Sequence, residues 1–363
     1  MTKVRRVMAN YISKNSIFKT LLILLMAGGI LYLFRQVIFV LFIIFGGILF
    51  AIFLTALTDF IRRKTGLPRG WSLALTTLVL IVSLVAFSWL MGSALGTQVT
   101  RLINRLPEAM KIIESYLNQY GWGRDLLSLL PSTQDLVPLG KGLLGNITGF
   151  FTTAVGATAG VVLVFFLGIY LAIEPDLYLN GFLSLFPSER RDRIREILTL
   201  IGGALRWWLI GRAVAMAAVG VLTVLGLWII GLPLAPTLGL IAGLLTFIPF
   251  IGPTLAAIPA MLIALIEGPY MVLYVVIIYV LLQQIENQIL TPLIQKRAIF
   301  LPPAVLLSAQ ILIGVLFGFM GVLMASPLTI VIVILVQTLY IQDSLGESVK
   351  VLGARTPGED DRG

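Results

Sequence analysis

Apolar runs long enough to cross a bilayer recur along almost the whole chain, and they leave one fold class open. A helix needs about 20 apolar residues to span the hydrocarbon layer. Runs of that order lie at 17–34, 36–58, 71–95, 149–173, 208–230 and 270–290. Another region, 238–266, is interrupted by Pro249, Gly252, Pro253 and Pro259. The last, 303–341, is too long for one straight crossing and carries Gly314, Gly318, Gly321 and Pro327 near its middle. It reads either as a steeply tilted, kinked helix or as a hairpin that enters and returns. Composition agrees: 58% of residues are apolar and 12% are charged, against about 25% charged in an ordinary soluble domain. A soluble core of this size has no room for that much apolar surface. The expected fold is therefore an all-α polytopic membrane protein with about eight transmembrane helices, and with broken or re-entrant segments in the C-terminal half.

The net charge of +9 then reads as a topology signal, because Lys and Arg are retained on the cytoplasmic side of membrane proteins. Arg62, Arg63, Lys64 and Arg69 follow the second run, and Arg190, Arg191, Arg193, Arg195 and Arg206 follow the fourth. With the basic segment 1–16 they fall on one side. Both termini are thus expected in the cytoplasm, with 97–148 as a long extracytoplasmic loop and 342–363 as a disordered tail. Residues 1–16 lead into a run too long for a cleavable signal, so the first span is expected to be retained. Within the loop, Val99, Leu102, Leu106, Met110, Ile113 and Leu117 form a helical stripe. In 188–207, Ile194, Ile197, Leu198, Ile201 and Leu205 share one face and Arg190, Arg191 and Arg195 lie off it. That pattern suits an interfacial helix on anionic lipid, with Trp207 and Trp208 as headgroup anchors; a solvated connector is the plainer alternative. No groove-reading motif accompanies the positive charge, so nucleic acid is not an expected partner.

The residue inventory narrows the chemistry. The chain has no cysteine and no histidine, which removes thiol chemistry, the usual zinc motifs and the Ser–His–Asp triad. No pair of mid-span aspartates and no nucleotide-binding loop is present, so an intramembrane enzyme and direct use of ATP are both disfavoured. No cofactor is expected.

Three segments stand out. Gln283, Gln284, Glu286, Asn287 and Gln288 crowd the end of an apolar run. At about 100° per residue Gln283, Glu286 and Asn287 share a face, with Gln284 and Gln288 flanking it. A carboxylate at membrane depth costs about 2.5–3.5 kcal/mol on insertion scales, so it usually faces a cavity or a partner. These residues fit the lining of a transport pathway; they also fit the wet end of a helix, since Thr291 and Pro292 follow at once. The second segment, Phe247 to Pro253, holds Pro249, Gly252 and Pro253 and cannot continue a regular helix. Such a break is tolerated where it is buried in protein or lines a water-filled cavity. The third, Gly314 to Pro327 with Phe317, Gly318 and Gly321 at its centre, permits a tight reversal, a gate or close helix packing. Gly156 and Gly160 read as a packing face, and Glu174-Pro175-Asp176 as a helix stop.

The order and spacing of these segments resemble the autoinducer-2 exporter family of bacterial membrane proteins. The words that carry the resemblance are Phe247-Ile-Pro-Phe-Ile-Gly-Pro253, Gln283-Gln-Ile-Glu-Asn-Gln-Ile-Leu-Thr-Pro292 and Phe317-Gly-Phe-Met-Gly-Val-Leu-Met-Ala-Ser-Pro327. The paired N-terminal runs, the Gly66-Leu-Pro-Arg-Gly70 turn and the long loop extend it over nearly the whole length. The resemblance implies an oligomeric permease of the bacterial inner membrane. Some members are described as exporters of the furanone signal autoinducer-2, others as sodium or lithium/proton antiporters. Many relatives carry a histidine where this chain reads Leu301-Pro302-Pro303, so no role of that histidine transfers.

Two functions follow as expectations. The first is a secondary transporter exporting a small polar solute such as autoinducer-2, driven by an ion or proton gradient and working as a homo-oligomer in membrane lipid. Amides suit such a solute because they both donate and accept hydrogen bonds. The second is a monovalent cation/proton antiporter using Glu286, nearly the sole acid placed for it. A non-transporting scaffold is the third class.

Overall fold

A computed structural model describes residues 2–83, 154–290 and 301–347, with isolated positions at 85, 111, 115, 118 and 119. The stripe expected at 98–120, most of the 97–148 loop, Pro292 and the tail beyond 347 lie outside the described residues. The regular structure described is entirely helical. In chain order the elements are α1 (Thr2–Thr65), α2 (Arg69–Ser83), α3 (Ala154–Ile173), α4 (Pro175–Ser184), α5 (Ser188–Ile229), α6 (Ala235–Leu245), α7 (Ile251–Glu267), α8 (Pro269–Ile285) and α9 (Pro303–Leu335). Two π-helical turns, Glu286–Leu290 and Val336–Gln342, extend α8 and α9. Among the described residues four helices are long and apolar enough to cross a membrane, or five if the bent pair α3–α4 counts as one span, and α2, α6 and α7 are shorter apolar helices. This is an all-α polytopic membrane protein.

The first two expected spans are not separated by a turn. Arg35 and Gln36 lie inside α1, which runs unbroken for 64 residues, about 96 Å at 1.5 Å per residue. Both residue types are good helix formers, and no proline stands nearby, so a polar pair alone does not interrupt the backbone ladder. The helix ends where Gly66 adopts a φ of +70° and its N–H closes on the Arg62 carbonyl at 2.8 Å, a left-handed cap. The stop at Glu174-Pro175 appears as expected, and α4 leaves α3 at 89°.

Small residues decide how closely the helices approach. A Cβ on Gly47 would lie 2.6 Å from Leu167 Cδ2, and one on Gly168 would lie 3.1 Å from the Gly47 carbonyl oxygen. The close α1–α3 contact is therefore at Gly168, and the nearest atom to a Cβ on Gly160 is Ile43 Cδ1 at 4.0 Å. Helices α5 and α6 cross even more tightly: a Cβ on Gly243 would lie 2.8 Å from the Met216 carbonyl oxygen and 3.1 Å from Gly220 Cα.

The segment 188–207 is not a separate interfacial helix. It forms the first half of α5, and its apolar face is buried in the chain's own core. Ile197, Ile201 and Leu205 pack there with Leu49 of α1 and with Ile330 and Ile334 of α9. Trp208 is buried in the same cluster and meets the Phe247 ring edge-on at 5.5 Å, so it is a packing residue and not a headgroup anchor. Burial against two helices takes this apolar face out of water.

Both broken regions are hairpins. The start of α6 (Ala235, Leu238) and the end of α7 (Ala260, Ile263, Ala264) share a core with Leu227 at the end of α5. The chain therefore goes in along α6, turns at 246–250 and returns along α7. The second hairpin lies within α9. Gly318 has φ +65° and ψ −147°, a conformation open to glycine and costly for other residues. A Cβ on Gly314 would lie 2.6 Å from Val322 Cγ2, and one on Gly321 would collide with the Ile313 carbonyl oxygen. Residues eight apart touch only if the helix doubles back. The first arm, 303–317, is about 22 Å long, short of the ~30 Å hydrocarbon layer, whereas the second, from 319 through the π-helical turn that ends at Gln342, is more than about 30 Å long.

The hairpins open toward opposite ends of α5. The first joins α5 at Leu227. The second ends at Gln342 and Asp343, where Arg193 near the start of α5 donates to both, at 2.9 and 2.8 Å. Where they meet, Gln310 of the second hairpin, fully buried, donates through Nε2 to the Pro249 carbonyl at the tip of the first, at 3.1 Å.

Candidate functional site

The tip of the first hairpin ends beside a charged pair. Arg212 projects from α5 and donates to the Thr246 carbonyl at 3.3 Å. Thr246 sits where α6 ends, so its carbonyl has left the helical ladder and is available to an outside donor. The same guanidinium nitrogen lies 4.0 Å from Glu286 Oε1. Both side chains are largely enclosed, 20% exposed for Arg212 and 12% for Glu286. Glu286 opens the π-helical turn that extends α8, a distortion that recurs at functional positions because it re-aims side chains. The backbone at the tip is itself unusual: Phe250 has φ +64°, which a side-chain-bearing residue adopts at a cost of about 1–3 kcal/mol.

Behind the pair is a small cavity of about 20 Å³, room for about one water molecule. Its polar lining comes from Thr223 of α5, Tyr279, Gln283 and Glu286, with Pro253 and Ala256 of α7 closing it. Tyr279 donates its hydroxyl to the Ala256 carbonyl at 3.1 Å, which ties α8 to α7 across the cavity. Helix α5 presents residues 212, 219 and 223 on this side because they are spaced by seven and four, one face of a helix.

The structure divides the expected site residues. Gln283 and Glu286 line the cavity with Pro253. Gln284, Asn287 and Gln288 are exposed, and Asn287 accepts a hydrogen bond from Gln283 at 3.4 Å. Pro249 is buried and offers its carbonyl to Gln310. Gly252 packs so closely that a Cβ would collide with the Leu245 carbonyl oxygen, which makes it a residue of the turn. Gly314, Gly318 and Gly321 build the second reversal, Phe317 meets Phe42 of α1 edge-on at 5.4 Å, and Pro327 is buried in the returning arm. These five do not reach the cavity lined by Glu286.

Sequence reasoning passed over Arg212, Thr223, Tyr279 and Gln310. The signal for two of them was present. Arg212 is a lone charge five residues into the run 208–230, and Gln310 is a lone amide in the first arm of 303–341. An isolated polar residue in such a run generally has a partner inside the bundle.

Comparison with known proteins agrees with this architecture. The model of the AI-2E family transporter matches residues 21–341. The protein named Putative transport protein YueF of Bacillus subtilis is 26% identical over 331 residues, 86% of this chain and 88% of that one. Putative transport protein YrrI of the same organism is 30% identical over 295 residues, 77% of this chain and 80% of that one. The AI-2 transport protein TqsA of Escherichia coli is 25% identical over 296 residues, 78% of this chain and 81% of that one. The match runs through both hairpins and the Arg212–Glu286 pair, and this chain belongs to the AI-2E transporter family.

Proposed function

We propose that the chain is a secondary transporter that exports a small, uncharged polar solute of the autoinducer-2 kind, with the Arg212–Glu286 pair and its cavity as the site where the solute is handled. The observation that carries this reading is the guanidinium 4.0 Å from the one acid in the cavity. A carboxylate balanced in this way offers no net negative charge to a monovalent cation. Hydroxyl and amide groups of Thr223, Tyr279 and Gln283 beside it suit a ligand that both donates and accepts hydrogen bonds. The name of TqsA, an AI-2 transport protein, points to the same solute class. In this reading the Arg62–Lys64 end of α1 and the Arg190–Arg195 end of α5 face the cytoplasm of a bacterial inner membrane, an ion or proton gradient supplies the drive, and the chain works as a homo-oligomer.

The test is flux from proteoliposomes loaded with autoinducer-2 under an imposed pH gradient, comparing the native chain with Glu286→Gln. We expect solute efflux from the native chain, slowed about tenfold or more in the variant, equivalent to about 1.4 kcal/mol on the barrier. The cation antiporter is the competing outcome. Collapse of the pH gradient on adding sodium or lithium, lost in Glu286→Gln and with no solute efflux, would replace this reading with it.

A further inference from the structure

Five buried threonines among the described residues share one hydrogen-bond pattern, and Thr223 departs from it. Thr58, Thr76, Thr329 and Thr338 are buried in helices and Thr246 at the end of α6, and each donates its hydroxyl to the carbonyl four residues earlier, at 2.6–2.8 Å. That bond is the ordinary way for a helical threonine to satisfy its hydroxyl. Thr223 is also fully buried, yet its Oγ1 has no hydrogen-bond partner among the described residues. It borders the same cavity as Gln283 and Glu286. An unpaired hydroxyl inside a protein is destabilising, and a partner held in the adjoining cavity would offset that cost. Thr223 lies eleven residues beyond Arg212 on α5, about 16 Å along the helix, on the side of the charged pair away from the basic end.

We propose that Thr223 Oγ1 is the ligand of a hydroxyl-binding site in this cavity, occupied by a single water in the resting protein and by a hydroxyl of the transported solute during passage. The cavity volume of about 20 Å³ matches one water. Thr223, Gln283 and Glu286 line the same space and would surround a water held there, and buried waters typically make about three hydrogen bonds. The solute half of the assignment rests on the transporter reading; the water half does not.

The experiment is thermal unfolding of the full chain in detergent for the native protein, Thr223→Val and Thr223→Ser, each with and without autoinducer-2. Valine keeps the shape and deletes the hydroxyl; serine keeps the hydroxyl. We expect Thr223→Val to melt about 2–4 °C lower than the native chain, as loss of about 1 kcal/mol gives in proteins of moderate size, and Thr223→Ser to lose less than half of that shift. Thr223→Val melting above the native chain overturns the proposal, because it would mean that the hydroxyl had nothing to bind. Autoinducer-2 raising the melting temperature of the native and serine proteins but not of the valine protein assigns the solute hydroxyl to Thr223. An equal rise in all three overturns the solute half and keeps the water. No rise in any of them, together with no efflux from proteoliposomes, counts against the transporter reading and not against the water.

Discussion

Removing either member of the Arg212–Glu286 pair should not cost the same, and the double replacement should recover much of the loss. At 4.0 Å two unit charges attract by about 4 kcal/mol at an effective dielectric constant near 20. The side chains are 20% and 12% exposed, so water screens part of that, and desolvation of both groups opposes it. Stranding one member of a buried pair typically costs about 3–5 kcal/mol. A pair at this separation belongs at the low end, about 3 kcal/mol. The structure supplies the asymmetry. Arg212 without Glu286 keeps the Thr246 carbonyl at 3.3 Å, whereas Glu286 without Arg212 keeps no partner for its carboxylate among the described residues. Arg212→Met is therefore expected to destabilise more than Glu286→Gln, by about 1 kcal/mol, the worth of one hydrogen bond. The double variant should fall short of the sum of the two by about 1–3 kcal/mol. The assay is equilibrium unfolding of the purified protein in mixed micelles for the four chains of the cycle. Losses that add within about 0.5 kcal/mol would refute the reasoning, since they would mean that the two groups do not act on each other.

Three further expectations concern how the helices cross and reverse. Gly243→Ala should destabilise by about 1–2 kcal/mol, because the new methyl would meet the Met216 carbonyl and Gly220 Cα, which cannot rotate away, and overpacking outweighs the gain of about 1 kcal/mol in helix propensity. Gly203→Ala on α5, with nothing within 4 Å of the added atom, should be neutral or stabilising by up to about 1 kcal/mol; the same unfolding assay reads both, and equal shifts would contradict the crossing. Gly318→Ala should cost about 1–3 kcal/mol although the site is open, because the expense lies in φ +65° and not in space, and a stabilised variant would mean that the reversal is not at Gly318.

Much of this architecture was legible because lipid simplifies the signal. Apolar runs of spanning length survive any detail of packing, and Pro249, Gly252 and Pro253 or Gly314, Gly318 and Gly321 mark positions where a helix cannot go straight on. What the sequence left open was the sense of the break. A kink and a reversal need the same glycines, and only the contact of Gly321 with Ile313, or of Ala235 with the α7 end, tells them apart. The same limit explains 188–207. An amphipathic face reports that something apolar covers it but not what, and here it is Leu49, Ile330 and Ile334. At the site, Glu286 and Gln283 were marked by their polar neighbours. Arg212 was marked only as a lone charge in an apolar run and Thr223 not at all, and both come from α5 and meet α8 through an antiparallel pairing that no local pattern records. Of the five crowded polar residues only Gln283 and Glu286 face the cavity, since the other three continue around the helix end to the exposed side.

The most direct test of the account is solute protection at position 283. The chain has no cysteine of its own, so Gln283→Cys and, as a control, the exposed neighbour Gln284→Cys can each be labelled with a membrane-impermeant maleimide in proteoliposomes. The account predicts that autoinducer-2 slows labelling at 283 and leaves labelling at 284 unchanged. Equal labelling at 283 with and without the solute, in a preparation that exports it, would place the route elsewhere and contradict the assignment of this cavity.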